Sequence, residues 1–362
     1  MGSGGTARPR AEVVVDVLGA GVLAALVATT LLASRGDRSN VLELLGACTA
    51  AVVVGRVVGP VHRAIPAIVV VAVGLWVWAD SGAALVGTGT LGHPFAAENA
   101  TAAFLAQAAF AGAIVAVATR RVAVVAVAAL AAIGSGSAAV RASTAAAPSL
   151  GLMLVAVPAL LRPRWARPAV LVAGGLFLAV LTSTVVLGAT YRAGDQAHGL
   201  EGALRSALTE RRVALWHDAL GILAERPAGV GPGRFAKVPP RFLSDQDVSW
   251  AYNEFLQQGT ELGWAGLIFT VLLFLWAFAR LLVHPAPDVV VALGAASLAA
   301  LAIHASVEPV LHFPAVPIAA AVLVGAAQAV PRVGSSDEAA EPGGGGVGEG
   351  ANPAGATGSN HR

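Results

Sequence analysis

Apolar runs recur along the chain at about 13–33, 41–60, 65–80, 98–118, 121–139, 145–161, 168–189, 258–283, 288–307 and 314–331. Short polar breaks separate them, with one exception: the break from 190 to 257 is far longer than the rest. Most of the runs approach the ~20 apolar residues that cross ~30 Å of hydrocarbon. The bilayer core offers no water to unpaired backbone groups, so such runs must form helices or a closed barrel. Their hydrophobicity is continuous, without the alternation of barrel strands, and this favours helices. The pattern therefore predicts an all-α integral membrane protein of about ten transmembrane helices with one long extracytoplasmic loop. The first run is too long for a signal-peptide core, and no convincing small-residue cleavage site precedes the second.

The same pattern divides the chain into a cytoplasmic leader (1–11), a membrane domain of seven spans (12–189), the loop (190–257), three further spans (258–333) and a tail (334–362). The tail is rich in glycine, proline and acids, and disorder is expected there. No internal repeat is visible. Within the loop, Gly202–Glu225 reads as a helix. Leu204, Leu208, Val213, Leu215, Leu220, Ile222 and Leu223 give it an apolar side able to lie on the membrane or against the bundle. Pro227 ends it. Gly229-Val-Gly-Pro-Gly233 predicts a tight turn. Asn253–Gly259 should begin the helix of the eighth span.

Composition agrees: 56% of residues are hydrophobic and 12% charged, against about 25% charged in soluble domains, which excludes an ordinary soluble fold. Arginines gather in alternate breaks: Arg8 and Arg10, Arg56 and Arg63, Arg120 and Arg121, Arg162, Arg164 and Arg167, and Arg280. By the positive-inside rule both termini are cytoplasmic and the long loop is outside. Arg35 and Arg38 break the pattern. The net charge of +2 is small and spread over inner breaks, so it speaks of topology and not of nucleic acid. Cys48 is the sole cysteine and lies in the second span, so no intramolecular disulfide forms.

Four features could carry chemistry. Arg212 and Trp216 share a helix face. Arg212 would grip a phosphate with its forked donors, or the pair is a snorkelling arginine beside an anchoring tryptophan. Gly229–Phe235 would cradle an anion through its amides, with Arg234 adding charge, or it is only a turn between interfacial helices. It is no dinucleotide fingerprint, because the spacing is wrong and no strand precedes it. Arg141 lies in or beside the fifth span, where a buried charge costs about 2.5–3.5 kcal/mol. It either faces a cavity or sits at the span boundary. His304, Glu308 and His312 are spaced by four. That suits a metal, but no compact set of further ligands is visible, and hydrogen-bonded interfacial residues or a polar cavity lining are expected instead.

In order, several stretches resemble the bacterial O-antigen ligase and polymerase family. Arg212-Val-Ala-Leu-Trp216, Ala219-Leu220, Pro227 and Gly229-Val-Gly-Pro-Gly-Arg-Phe235 are similar to that family's outer loop. Asn253, followed after nine residues by Gly263 and then Gly266, matches its His-Asn-x9-Gly segment at the Asn and Gly. Gly89-Thr-Leu-Gly-His-Pro94 leading to Asn99-Ala-Thr-Ala-Ala-Phe-Leu105 resembles its Gly-rich entry into a span. Arg141-Ala-Ser resembles its Ser-Arg-Gly/Ala turn. His304 to Pro314 resembles its late His…Asp…Pro stretch, with Glu308 where an Asp is usual. The matches run from about 86 to 325.

The resemblance implies a multi-pass plasma-membrane glycosyltransferase of envelope polysaccharide synthesis. Its donor would be a glycan on a polyprenyl (undecaprenyl-type) diphosphate, its acceptor a glycan or lipid, with no cofactor, nucleotide sugar, metal or nucleic acid. Arg141, Arg212 and Arg234 would hold the diphosphate. Trp216, Gly231, Gly233, Asn253 and His304 would line the substrates. The family's catalytic histidine falls at Tyr252, and a free phenol, with a pKa near 10, is a poor base at neutral pH. Tyr252 would then orient the acceptor, leaving Glu254, Asp247 or His304 as base. The competing readings are a non-catalytic lipid-glycan binding or transport protein, and a structural partner in an envelope complex.

Overall fold

The computed structural model describes residues 7–33, 35–86, 97–119, 121–143, 145–192, 208–238 and 250–330, all within one unit, Met1–Pro331. The tail expected at 334–362, the stretch Gly89–Pro94, Asp247 and the Arg141 side chain lie outside what is described. Among the described residues twelve α-helices follow one another and no strand occurs. They are α1 (Ala7–Leu32), α2 (Ser39–Val58), α3 (Ala64–Val86), α4 (Glu98–Thr119), α5 (Val122–Ala142), α6 (Ala146–Gly151), α7 (Met153–Leu161), α8 (Ala166–Thr190), α9 (Glu210–Glu225), α10 (Glu254–Leu282), α11 (Val289–Ala305) and α12 (Ala315–Gln328).

Each predicted apolar run coincides with a helix, the sixth being split into α6 and α7. Six helices are long and apolar enough to cross a membrane, the segments Arg10–Leu32, Ser39–Val58, Glu98–Thr119, Val122–Val140, Pro163–Thr190 and Glu254–Leu282. This is the fold of a helical membrane protein. The helices are apolar all round, so tertiary position alone decides which face is inside. α4 and α11 form the centre, buried along nearly their whole length. α1, α2, α5 and α8 turn large apolar side chains such as Val13, Val57, Leu130 and Leu171 outward, a surface that suits lipid.

Small residues let the backbones approach. Gly55 of α2 and Gly325 of α12 each lie against the other helix's backbone, leaving no room for a Cβ on either. At the end remote from α9, ion pairs tie the bundle together. Arg56 bonds Asp16 at 2.8 Å, and Arg280 bonds Glu12 at 2.9 Å and Asp16 at 3.3 Å.

α9 lies against the bundle, on α8 and α10. The apolar side read from the sequence left membrane and bundle open; the packing chooses the bundle. Trp216 is fully buried, pressed against Gly188 of α8, where an added Cβ would stand 2.9 Å from its own. Asn253 caps α10, accepting from the Leu256 amide at 3.1 Å, and its Nδ2 donates to Thr184 Oγ1 of α8 at 3.0 Å. The start of α10, the end of α8 and the middle of α9 are thereby fixed together.

Candidate functional site

The glycine turn after α9 is built around a carboxylate from its own chain. Gly229, Gly231 and Gly233 all have positive φ, the left-handed region that glycine enters without a Cβ clash. That backbone aims a row of amides at α10. Val230 and Gly231 donate to the carbonyls of Thr260 and Glu261, both at 2.9 Å. Gly233 donates to Glu261 Oε2 at 2.8 Å and Phe235 to Oε1 at 3.4 Å. The turn is an anion cradle whose anion is Glu261. This corrects the expectation that Gly231 and Gly233 bind substrate, because their amides are already taken. Arg234 stays half-buried, and no carboxylate among the described residues pairs with it.

On the other side of α9, residues far apart in sequence meet. Arg212 Nη2 forms an ion pair with Glu308 Oε1, just beyond α11. The Asn99 side chain from the start of α4 also hydrogen-bonds the Glu308 carboxylate. The Arg212 guanidinium lies 5.5 Å from the centre of the Tyr252 ring, within reach of a cation–π contact. Tyr252 has φ +51°, a left-handed conformation that costs a non-glycine residue about 1–2 kcal/mol. It is held there by the Trp216 indole N–H, which donates to the Tyr252 carbonyl at 3.2 Å, and by the Asn253 cap that follows. Trp216 is thus a positioning residue inside the core, neither an anchor at an interface nor a substrate contact, which corrects both of its sequence readings. Asn253 is likewise buried and engaged with Thr184 and Leu256.

Glu308 is almost fully buried. Burial pushes its carboxyl up to about 7, against the pull of Arg212 and Asn99. Its Oε2, and Nε2 of the buried His304 one turn earlier, have no hydrogen-bond partner among the described residues. Buried polar atoms without partners are costly, and two of them stand beside one arginine here.

Glu254 goes elsewhere. Its Oε1 accepts from His312 Nδ1 at 2.8 Å and from the amides of Leu311 and His312 at 3.0 and 3.3 Å. The Trp250 ring packs on His312 with centroids 4.0 Å apart, and Gln257 Nε2 stands 3.4 Å from His312 Nε2 and 3.2 Å from Glu261 Oε1. Glu254 therefore fastens the turn after α11 through its Oε1 and stands apart from the Arg212–Glu308 pair. The spacing-based metal set is dispersed too: Glu308 pairs with Arg212 while His312 pairs with Glu254.

His312 yields a prediction. Burial works against its charge, but the carboxylates of Glu254 and Glu261 more than offset this and hold the imidazolium above its ordinary range. A raised histidine contributes stability that is complete below about 6.5 and is lost as pH rises through the raised value. The thermal midpoint in detergent should therefore fall with rising pH across that window, and His312→Gln should remove this slope. An unchanged slope in the variant would show that the pair adds nothing.

Glu261 and Thr184 carried no sequence signal of their own, whereas Asn99 and Glu308 stood in stretches that resemble the family and Glu308 also in the spaced triplet. Comparison with protein-family models, curated proteins and solved structures finds no match to this chain.

Proposed function

We propose that the protein is a membrane glycosyltransferase of the O-antigen ligase type. It would transfer or polymerise a glycan from a polyprenyl-diphosphate carrier at the outer leaflet of the cytoplasmic membrane. In this reading the chain crosses about ten times, both termini are cytoplasmic, and α9 with its glycine turn faces outside. The supporting observation is convergence: Asn99, Arg212, Tyr252 and Glu308 come from separate resembling stretches and meet through direct contacts.

The geometry suggests an exchange. In the absence of substrate Arg212 is paired with Glu308. An arriving diphosphate, with more charge and more acceptor oxygens, competes for the same guanidinium. Glu308 is then left as a buried carboxylate whose pKa suits general-base work near neutrality. The acceptor hydroxyl gives its proton to Glu308, its oxygen bonds to the sugar's anomeric carbon, and the bond from that carbon to the diphosphate oxygen breaks. The diphosphate leaves as an anion stabilised by Arg212. Tyr252, held in a left-handed conformation beside Arg212, hydrogen-bonds the acceptor and needs no change of protonation. Glu308 takes the base role that the sequence left open among Glu254, Asp247 and His304. One observation favours non-catalytic binding or transport instead: a phenol stands where the family carries its histidine.

The test is release of lipid diphosphate in liposomes supplied with a polyprenyl-diphosphate oligosaccharide pool. Release should be detected in wild type and retained in part by Tyr252→Phe. Its rate should rise with pH through about 7 as Glu308 loses its proton, and Glu308→Gln should remove that rise together with most of the activity. Donor binding without release in wild type would establish the transport or binding reading.

A further inference from the structure

α1 packs along α10 and α2 along α12, while α1 and α2 hardly touch each other. Between them lies a cavity of about 770 Å³. Its α2 wall runs from Asn40 to Arg56, about 24 Å at 1.5 Å per residue. One leaflet of a ~30 Å hydrocarbon core is only about 15 Å deep. The long walls are apolar, with Leu23, Leu44, Val52 and Phe274 among them. At one end the Arg56–Asp16 pair closes it at 2.8 Å. At the other end the wall turns polar and meets Trp250, Glu254, Glu261 and His312.

That polar end has an unfilled demand. Glu254 is buried; its Oε1 takes three donors, whereas its Oε2 has none among the described residues. Asp37 and Glu43 stand in the wall at the same end, so an anionic headgroup would meet like charge there. Arg35, Arg38 and Arg234 belong to the adjoining turns, not to the wall, and Arg38 donates to the Ala33 carbonyl. The chemistry that fits is an uncharged headgroup rich in hydroxyl donors, beside an indole face and a carboxylate.

We propose that the α1–α2 cleft binds a membrane glycolipid, its hydroxyl-rich, uncharged headgroup at Trp250 and Glu254 and its chain lying along α2. The lipid enters sideways through the gap between the two helices. Glu254 is two residues along the chain from Tyr252, so the headgroup would be held on the same segment as the group assigned to orient the acceptor. That last step rests on the transfer reading above; the binding itself does not.

The experiment uses the full chain in phosphatidylcholine nanodiscs with a photoreactive glucosyl diacylglycerol and no polyprenyl donor. Label is expected on α2 and on the peptide containing Trp250 and Glu254. Ala47→Trp and Ala321→Trp, filling the cleft from α2 and from α12, should each lower labelling about tenfold. Unlabelled glucosyl diacylglycerol should displace the probe at least tenfold better than phosphatidylglycerol. Label elsewhere, no label, labelling undiminished by both substitutions, or equal displacement by phosphatidylglycerol would overturn the proposal. None of these results touches the release assay, so the two readings fail separately.

Discussion

Arg212→Ala should reduce glycan transfer by at least a hundredfold to a thousandfold, the loss that follows removal of one preorganised donor from a developing anion. Arg212 touches both Glu308 and Tyr252. Its removal takes away the fork that would receive the diphosphate, and lysine should not restore it. A single ammonium lacks the planar pair of donors and the flat face that lies over the Tyr252 ring. Arg212→Lys is therefore expected to remain at least tenfold below wild type.

The same substitution has a stability signature that separates it from simple misfolding. Removing one partner of a buried ion pair typically costs about 3–5 kcal/mol, because the other charge is stranded. Glu308 has a way out, since burial already places its carboxyl at about 7. Without Arg212 it should hold its proton to higher pH still. Arg212→Ala should thus unfold near the wild-type temperature in mildly acidic buffer and well below it in alkaline buffer. The double variant Arg212→Ala/Glu308→Gln should lose that pH dependence, recover stability and stay inactive. Full transfer activity in Arg212→Ala would remove the assigned role.

The division between what the sequence discloses and what it does not follows distance along the chain. The helices were legible because hydrophobic length is a local property, and the turn at Gly229–Gly233 because glycine and proline act locally. Partners were not. Arg212 meets Glu308 across 96 residues, and nothing in either neighbourhood says which carboxylate it finds. Trp216 sits in a helix compatible with membrane or bundle, and Gly188, outside the loop, decides between them by making room. Glu261 reads as a costly acid within an apolar run until the amides of Gly233 and Phe235 are seen around it. The resemblance drew attention to Gly231 and Gly233 as binding residues; the reason the turn needs them, and Gly229 beside them, is the shape of α10, a few residues into the next helix.

That shape sets the other large effect, expected for Gly263→Ala. α10 is broken at Gly263, with φ +74° and ψ −168°, a conformation that essentially only glycine adopts and that costs other residues about 1–3 kcal/mol. The break lets the turn dock: the Trp264 amide donates to the Pro227 carbonyl at 3.0 Å, and the carbonyls of Thr260 and Glu261 receive Val230 and Gly231. A Cβ at Gly263 would overlap the Pro227 carbonyl and Ala228, backbone that cannot swing aside as a side chain would. The turn must withdraw, and Glu261 then loses its amide donors while remaining buried. Strain, clash and a stranded carboxylate together should exceed about 4 kcal/mol, the range reserved for backbone and buried-charge defects. Gly175→Ala in α8, with open space where the methyl would go, should be neutral or stabilising by up to about 1 kcal/mol. Thermal midpoints in detergent and hydrogen exchange over residues 227–235 would test the contrast. A Gly263→Ala protein as stable as Gly175→Ala, with the turn still protected, would mean that the break in α10 does not hold the site.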